Sequence, residues 1–239
     1  MEHHERTGPG GDARERNRQI QAMFGRIVPR YDRMNRLMSF GMDVGWRRRA
    51  VRAVEPAGKR ILDLGAGTGD LARELARGGA TSVCGADFTP AMLHAASRRD
   101  AGGGPFAWIA ADAHHLPFAD GSFDALTNAF VLRNLVDLPL AFREMARVLR
   151  PGGRAVCLDM TPPPPGIFSA AYRLYFNRIM PPIAGLLSGD RAAYRYLPNS
   201  LTGFPDADAL SQMLRNAGFR EVRYQRLGGG AVALHVAQK

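Results

Sequence analysis

Short apolar runs alternate with amphipathic segments through most of this chain, and this alternation restricts the fold more than any other feature. The apolar runs that predict buried strands cover residues 60–67, 81–88, 106–112, 124–132 and 154–160, and helical patterns cover residues 68–78, 90–99 and 137–149. Such strands predict a parallel sheet, because right-handed crossovers place the helices on both of its faces. A helix over 206–217 and strands over 221–227 and 231–237 bring the sheet to about seven strands. The predicted fold class is α/β, with a doubly wound Rossmann-like sheet.

The segments around this sheet predict its appendages. A chain of 239 residues is long enough for one domain with a full core, and we expect residues 17–239 to form it. The polar residues 1–16 predict a disordered tail. Apolar residues at helical spacing over 17–54 predict a helical lid in front of the sheet. The apolar and aromatic residues within 161–205 predict a helical insertion after the fifth strand, on the substrate side.

The composition excludes some classes of protein and leaves others open. Hydrophobic residues make up 46% and charged residues 23%, as in ordinary globular proteins, so the chain should fold. Its formal net charge is +10. A basic surface attracts nucleic acid, anionic membranes or acidic ligands, and the arginine excess also fits codon bias in a GC-rich genome. Cys84 and Cys157 fall in separate apolar runs, so we expect neither a disulfide framework nor a metal site. Without a signal-peptide core or an apolar run of ~18 residues, we expect a cytoplasmic protein, soluble or peripheral to the membrane.

A glycine-rich segment, DLGAGTGD over residues 63–70, follows the first predicted strand and opens the next helix. Glycines let the chain turn sharply and let a ligand approach the backbone, which predicts a pocket. A plain turn or a dinucleotide site are the alternatives, but the dinucleotide fingerprint is GxGxxG and this segment has GxGxG. S-Adenosylmethionine has no pyrophosphate, and its zwitterionic tail requires backbone carbonyls and a carboxylate such as Asp63. We therefore predict that Asp63, Gly65 and Gly67 bind this cofactor.

Acidic residues also end the next two predicted strands. Asp87 can accept hydrogen bonds from both ribose hydroxyls of the cofactor, and Asp112 with the amide of Ala113 would lie beside its adenine. Each aspartate alone would equally fit a helix N-cap. Together with Asp63 and the glycine segment, they favour an S-adenosylmethionine-dependent methyltransferase.

From about Met23 to Lys239 the chain resembles the ubiquinone/menaquinone biosynthesis C-methyltransferases. The resemblance lies in FGRIVPRYDRMNRLMSFGMDVGWRRR (24–49), LDLGAGTGDLA (62–72), LPFADGSFDA (116–125), FVLRNLVD (130–137), RVLRPGG (147–153) and YRYLPNS (194–200). It implies a class I methyltransferase fold and methylation of a ring carbon of a polyprenylated quinol, with demethylmenaquinol to menaquinol as the expected reaction. Carried over by position, it implies cofactor contacts at Thr68, Asp87, Asp112, Ala113 and Ala129. Ala129 stands where serine is frequent, Val131 where glycine is expected and Asp159 where glutamate is expected, which leaves the quinol nucleus open.

Methylation of an aromatic carbon is easier when an adjacent hydroxyl is ionised, so the site needs a base or a stabiliser for a phenolate. Arg133 fits as that stabiliser, or as the group that holds a water acting as base, and Asn134 fits as the orienting group. The resemblance points to the same pair and places Tyr31 and Asp32 on the lid, over the cofactor. The alternative for Arg133 is a surface ion pair, which its position directly after a strand end disfavours. Without the resemblance, Tyr31 would be a half-buried aromatic. This scheme requires no metal.

Other functions and roles stay open at this point. A paralogue acting on another phenolic or prenylated compound would share these motifs, and so would an inactive homologue that still binds the cofactor. A nucleic-acid methyltransferase would fit the charge, but the chain lacks both an Asx-Pro-Pro-aromatic element after the fourth strand and a Pro-Cys nucleophile. We expect His114 and His115 to face solvent and His235 to be a core residue or a base.

A polyprenylated substrate resides in the bilayer, so its enzyme must extract the tail or rest on the membrane. The segment from Ile167 to Leu187 carries an apolar surface that includes Phe168 and Leu174, and we expect it to contact the membrane, with a core helix as the alternative. The expected partners are a polyprenylated quinol and the inner face of the membrane. No nucleic acid is expected, and a homodimer stays open.

Overall fold

The computed structural model describes residues 9–166, 175, 178 and 200–239. The helices are α1 (Pro9–Met38), α2 (Met42–Val54), α3 (Asp70–Arg77), α4 (Pro90–Arg99), α5 (Leu138–Val148) and α6 (Ala207–Asn216). The strands are β1 (Arg60–Leu64), β2 (Ser82–Asp87), β3 (Phe106–Ala110), β4 (Phe123–Ala129), β5 (Leu149–Met160), β6 (Arg220–Leu227) and β7 (Val232–Gln238). Each predicted strand and each predicted helix from residue 60 onward is present in this part of the chain.

The strands form one seven-stranded sheet in the order β3-β2-β1-β4-β5-β7-β6. The first five strands are parallel, and β7 runs antiparallel to both β5 and β6. The predicted α/β class and the Rossmann-like sheet are therefore confirmed. The strand order reverses direction between β1 and β4, and ligands of such sheets bind at the carboxyl ends beside this switch point.

Both faces of the sheet are covered, as its continuous apolar strands require. Leu62 packs in a core that includes Phe142 of α5 and Leu210 of α6, whereas its neighbour Ile61 packs in a second core with Leu75 of α3. Adjacent residues of β1 thus face opposite cores. The rigid strand ends that result hold the loops of the site.

Helix α1 lies across the carboxyl ends of the sheet. Its buried residues Met23, Ile27 and Met34 pack near Met160, the last residue of β5, and near Leu201. The side chain of Gln21 also donates a hydrogen bond to the carbonyl of Phe88, just after β2, at 2.8 Å. This placement is the one that a lid over the site requires.

Two details differ from the prediction, and a third prediction falls on residues that are not described. Helix α1 begins at Pro9, so residues 9–16 are helical where the prediction had a disordered tail. Proline suits a first helical turn, and the alanine, arginines and glutamate that follow favour a helix. Strand β4 ends at Ala129 rather than at residue 132, because Phe130 takes a positive φ of 63° and residues 132–134 form a 3-10 turn. The segment Ile167–Leu187 falls, apart from residues 175 and 178, outside the described residues.

Candidate active site

The residues predicted to bind the cofactor come together at the carboxyl ends of β1, β2 and β4. One cleft is lined by Tyr31, Gly65, Gly67, Asp87, Asp112, Ala113, Ala129 and Asn134. An adjoining recess, called the tail subsite below, is lined by Tyr31, Asp32, Arg47, Asp63, Gly65, Ala66, Gly67, Thr68, Asp70, Leu71 and Ala129. Ten of the eleven predicted site residues therefore line one continuous region, and Arg133 lies beside it.

The glycine-rich loop is fixed to the end of β2. The amide of Gly65 donates to the carbonyl of Ala86 at 2.7 Å, and the amide of Gly67 donates to Oδ2 of Asp87 at 2.8 Å. Gly65 has a φ of 68°, and a Cβ placed there would lie 2.0 Å from Cγ2 of Val131. The valine that replaces an expected glycine thus occupies the space above Gly65, so this position tolerates no side chain.

Asp63 is the most deeply buried carboxylate of the tail subsite, with an exposed fraction of 1%. Its Oδ1 accepts a hydrogen bond from the hydroxyl of Thr127 at 2.9 Å. Its Oδ2 is buried and has no hydrogen-bond partner among the described residues. Burial raises the pKa of Asp63 to about 7, although the Thr127 hydroxyl and the charge of Arg47 oppose the shift. An unsatisfied buried carboxylate oxygen is costly, and a cationic ligand group would satisfy it.

Asp87 is the last residue of β2, and each of its carboxylate oxygens already accepts one hydrogen bond. Oδ2 accepts the amide of Gly67, and Oδ1 accepts the amide of Thr89 at 2.7 Å. Burial raises the pKa of Asp87, and these two amides oppose that shift. Each ionised oxygen can accept a second hydrogen bond, so the pair of ribose hydroxyls predicted to bind here can be accommodated.

Asp112 and His114 form a partly buried turn that the sequence interpretation missed. Oδ1 of Asp112 accepts the amide of His114 at 2.9 Å and lies 2.6 Å from its Nδ1. Nε2 of His114 accepts the amide of Asp137 at 3.2 Å, so the ring proton belongs on Nδ1. His114 is 7% exposed, and the expectation that it faces solvent was wrong, whereas His115 is exposed. An aspartate two residues before the histidine, as in an Asx turn, was the available signal.

Arg133 is buried next to the cleft instead of lying on the surface. Its Nη1 contacts Oδ1 of Asp159 at 2.7 Å, and both side chains are more than nine-tenths buried. Its guanidinium also lies over the ring of Phe130, with 5.7 Å between the guanidinium carbon and the ring centroid. The surface ion pair considered from the sequence is therefore a buried one, and it joins the turn after β4 to the end of β5.

Tyr31 reaches from α1 into both parts of the region. Burial raises the pKa of its hydroxyl above the ordinary value of 10.0, while the charges of Arg133 and Arg47 and a hydrogen bond with Asn35 oppose the shift. Asn134 also lines the cleft, with its side-chain amide 3.5 Å from the carbonyl of Phe130. A phenol and a carboxamide therefore face the space where an aromatic acceptor would bind.

Thr68 connects the glycine-rich segment to α1. Its hydroxyl donates to Oδ1 of Asp32 at 2.6 Å, and Oδ2 of Asp32 lies 2.6 Å from Nη1 of Arg99. Arg36 of α1 contacts Asp70 at 3.4 Å in the same area. These contacts, called the latch below, tie α1 to α3 and α4 directly above the tail subsite.

The remaining candidates have structural surroundings. His235 is buried with Nε2 2.9 Å from the carbonyl of Ala207, and burial lowers its pKa, as fits a core histidine. Burial raises the pKa of Cys84 to about 11 and that of Cys157 to about 12, which keeps both thiols protonated and poor as nucleophiles. Within the described ranges, no three His, Cys, Asp or Glu side chains are grouped as metal ligands would be.

The fold and the site define an S-adenosylmethionine-dependent methyltransferase. The open oxygen of Asp63 suits the ammonium of the cofactor's methionine tail, Asp87 suits its ribose, and the amide of Ala113 lies at the end predicted for adenine. The chain belongs to the ubiE/COQ5 methyltransferase family, whose sequence model matches residues 12–239.

Curated relatives agree with this assignment. The chain is 52% identical over 220 residues to a demethylmenaquinone methyltransferase of Thermus thermophilus, which covers 91% of this chain and 100% of the relative. It is 44% identical to the demethylmenaquinone methyltransferase of Deinococcus radiodurans, with 98% of each chain covered. A ubiquinone/menaquinone biosynthesis C-methyltransferase of Geotalea uraniireducens is 40% identical, with 94% of this chain and 98% of that one covered.

A solved structure supports the fold. A SAM-dependent methyltransferase from Thermotoga maritima superimposes with a TM-score of 0.64 at 20% identity, covering 91% of this chain and 99% of the other. At this level of identity the likeness supports the architecture alone.

Proposed function

We propose that this protein transfers the methyl group of S-adenosylmethionine to a ring carbon of a polyprenylated quinol and converts demethylmenaquinol to menaquinol. The observation that carries the proposal is the 52% identity to a demethylmenaquinone methyltransferase, which is matched over the whole length of that relative. The site supports it, since Tyr31 and Asn134 line a largely apolar cleft that continues from the cofactor residues. An aromatic ring fits such surroundings.

S-Adenosylmethionine supplies a methyl group on a positively charged sulfur. When bound, the cofactor would supply this methyl to the ring carbon and leave as S-adenosylhomocysteine, and the ring proton would pass to a water held by Arg133. Asp63 and Asp87 would hold the cofactor at the end of the cleft, and Asn134 would orient the quinol. Such positioning supplies much of the rate enhancement of a bimolecular displacement.

Arg133 stabilises the negative charge that develops on the quinol oxygen. The guanidinium lies within electrostatic reach of the Tyr31 hydroxyl, whose pKa it lowers relative to burial alone. The ion pair with Asp159 fixes the guanidinium in place, and a fixed charge in a buried site costs no reorganisation when the reaction occurs. Tyr31 on α1 then closes the cleft above the ring.

The exposed apolar residues at the α1–α2 turn support contact with a membrane. Phe40 is 73% exposed, and its neighbours Leu37 and Met42 are 47% and 45% exposed. Arg33 and Arg36 lie one turn earlier on α1. An apolar tip beside arginines suits insertion into the interface of an anionic bilayer, where a polyprenylated quinol resides. No helix in the described part of the chain is long and apolar enough to cross a membrane.

Flotation with vesicles tests this contact. The protein should float with vesicles containing ~30% phosphatidylglycerol and less with pure phosphatidylcholine vesicles, because several basic residues add about 1 kcal/mol each near an anionic surface. Leu37→Ser/Phe40→Ser should lose most of the binding. Val136→Ser, which also removes an exposed apolar side chain, serves as the matched control. Equal flotation of both variants would contradict the assignment of this turn.

A transfer assay tests the function itself. Purified protein is incubated with methyl-labelled S-adenosylmethionine and demethylmenaquinol under reducing conditions, and the product is identified by mass spectrometry. We expect one label on a ring carbon. Label on a quinol oxygen, or none, would contradict the proposed reaction.

A further inference from the structure

We propose that Arg47 binds the carboxylate of the cofactor's methionine tail, across the tail subsite from Asp63. Arg47 lies on α2, is 9% exposed and lines the same recess as Asp63, Gly65 and Thr68. The cofactor contacts predicted from the sequence do not include it. The inference rests on S-adenosylmethionine as cofactor and not on the identity of the methyl acceptor.

The charges of the tail subsite favour this role. A zwitterionic tail needs one anionic and one cationic partner, since burial of an unpaired charge is costly. Among the described residues that line the subsite, the acidic ones are Asp32, Asp63 and Asp70, and Arg47 is the one basic residue. Asp32 and Asp70 already contact arginines outside the subsite, at 2.6 and 3.0 Å. Asp63, with its open oxygen, is therefore the acid left for an ammonium, and Arg47 is the cation of this lining that a carboxylate can reach.

The surroundings of Arg47 hold its guanidinium in one orientation. Its Nη1 contacts Oδ2 of Asp43, whose other oxygen accepts the hydroxyl of Ser39 at 2.9 Å. The guanidinium also lies over the ring of Phe130, 5.4 Å from the centroid. A guanidinium has five N–H donors, and these contacts use only some of them. A planar, fixed fork of donors suits a carboxylate better than a flexible lysine would.

The helix explains why only one of three consecutive arginines reaches the site. Residues 47–49 are all arginine, but the buried face of α2 contains Asp43, Arg47, Ala50, Val51 and Val54. This spacing follows the helical period, which places residues three and four apart on one face. Arg48 points outward with its side chain 61% exposed and therefore offers a matched control.

Calorimetry on the full chain tests the proposal with two ligands that differ only in the carboxylate. Wild-type protein should bind S-adenosylmethionine roughly 10- to 100-fold more tightly than decarboxylated S-adenosylmethionine, the range expected for a charge-assisted bond. Arg47→Gln should bind the two ligands with similar affinity. Its affinity for the decarboxylated ligand should stay within about twofold of the wild-type value. Arg48→Gln should keep the full preference.

The variants also separate binding from folding. If Arg47→Gln unfolds because Asp43 loses its partner, Asp43→Asn/Arg47→Gln removes the stranded charge, and the same ratio is measured. Retention of the preference without Arg47, or an equal loss of affinity for both ligands, would overturn the proposal. Failure of the wild type to bind S-adenosylmethionine would overturn it together with the cofactor assignment, whereas failure of methyl transfer alone would affect only the proposed acceptor.

Discussion

Two buried carboxylates near the site have opposite surroundings. Asp159 is 2% exposed and paired with Arg133, whereas Asp63 is 1% exposed and keeps one oxygen without a partner among the described residues. An unpaired buried charge lowers stability, so its retention is best explained by a ligand. The raised pKa of Asp63 has consequences for both stability and binding.

Replacement of Asp63 by Asn should stabilise the cofactor-free protein at pH 8. The pKa of Asp63 is about 7 in the folded state against 3.8 ordinarily, so stability falls as the pH rises from about 4 through 7. A neutral amide avoids this cost, and we expect a gain of about 2–4 kcal/mol in denaturant unfolding at pH 8 and none at pH 4. A loss of stability at pH 8 would contradict this account of Asp63.

The same group should make cofactor binding depend on pH. The cofactor's ammonium favours the ionised form of Asp63, so below about pH 7 the Asp63 carboxyl must lose its proton when the cofactor binds. Affinity in wild-type protein should fall roughly tenfold per pH unit below about 7 and level off above it. Asp63→Asn should bind weakly with a flat profile. An equally steep profile in the variant would place the titrating group elsewhere.

The Arg133–Asp159 pair should separate stability from turnover. Arg133→Gln leaves Asp159 buried without its ionic partner and should cost about 3–5 kcal/mol of stability. Arg133→Gln/Asp159→Asn should recover much of that loss, because no charge remains buried. Turnover should stay at least 100-fold below wild type in both, with little change in cofactor affinity. Recovery of turnover in the double variant would assign Arg133 a structural role only.

The sequence located the residues that line the cleft better than it located their partners. Asp63, Asp87 and Asp112 could be found because each lies within two residues of the end of a strand. The burial of Arg133 could not, since its partner Asp159 belongs to a different strand 26 residues later. His114 was assigned to solvent for a similar reason, because its second hydrogen bond comes from Asp137 at the start of α5.

At the scale of elements, strands and helices of the sheet followed directly from apolar periodicity, whereas the ends of elements depended on tertiary contacts. The prediction extended β4 over Phe130 because the run stays apolar there. Phe130 instead leaves the strand with a φ of 63° and packs beneath the guanidinium groups of Arg47 and Arg133. A contact between α2 and the turn after β4 has no local sequence signal.

The latch between α1 and the glycine-rich segment should control release of the cofactor. Thr68→Val removes the hydroxyl that donates to Asp32 at 2.6 Å, and Asp32→Asn weakens the contact with Arg99. We expect dissociation of the cofactor to become about tenfold faster in each, because a hydrogen bond to a charged group contributes about 1.5–3 kcal/mol. Stopped-flow measurement of dissociation is the test.

Arg49→Gln is the control for the latch, since Arg49 lies on α2 outside these contacts and its side chain is exposed. It should leave the dissociation rate unchanged. If Thr68→Val and Asp32→Asn dissociate no faster than this control, α1 does not act as a lid over the tail subsite.

At the scale of the whole molecule, the charge of +10 is unevenly distributed. The cofactor region is rich in carboxylates, including Asp63, Asp87 and Asp112, while most arginines lie outside it. This arrangement keeps a cationic cofactor in the cleft and directs basic residues to the exterior. It agrees with the proposed contact between the α1–α2 turn and an anionic bilayer.

The most direct test of the central claim is the fate of a labelled methyl group. S-Adenosylmethionine labelled on its methyl carbon and reduced demethylmenaquinol are supplied to the purified protein in anionic vesicles, and the product is analysed by mass spectrometry and NMR. The proposed reaction predicts one label per quinol, on a ring carbon, and loss of transfer in Asp63→Asn. Cofactor binding without any transfer to demethylmenaquinol, or transfer to a quinol oxygen, would contradict it.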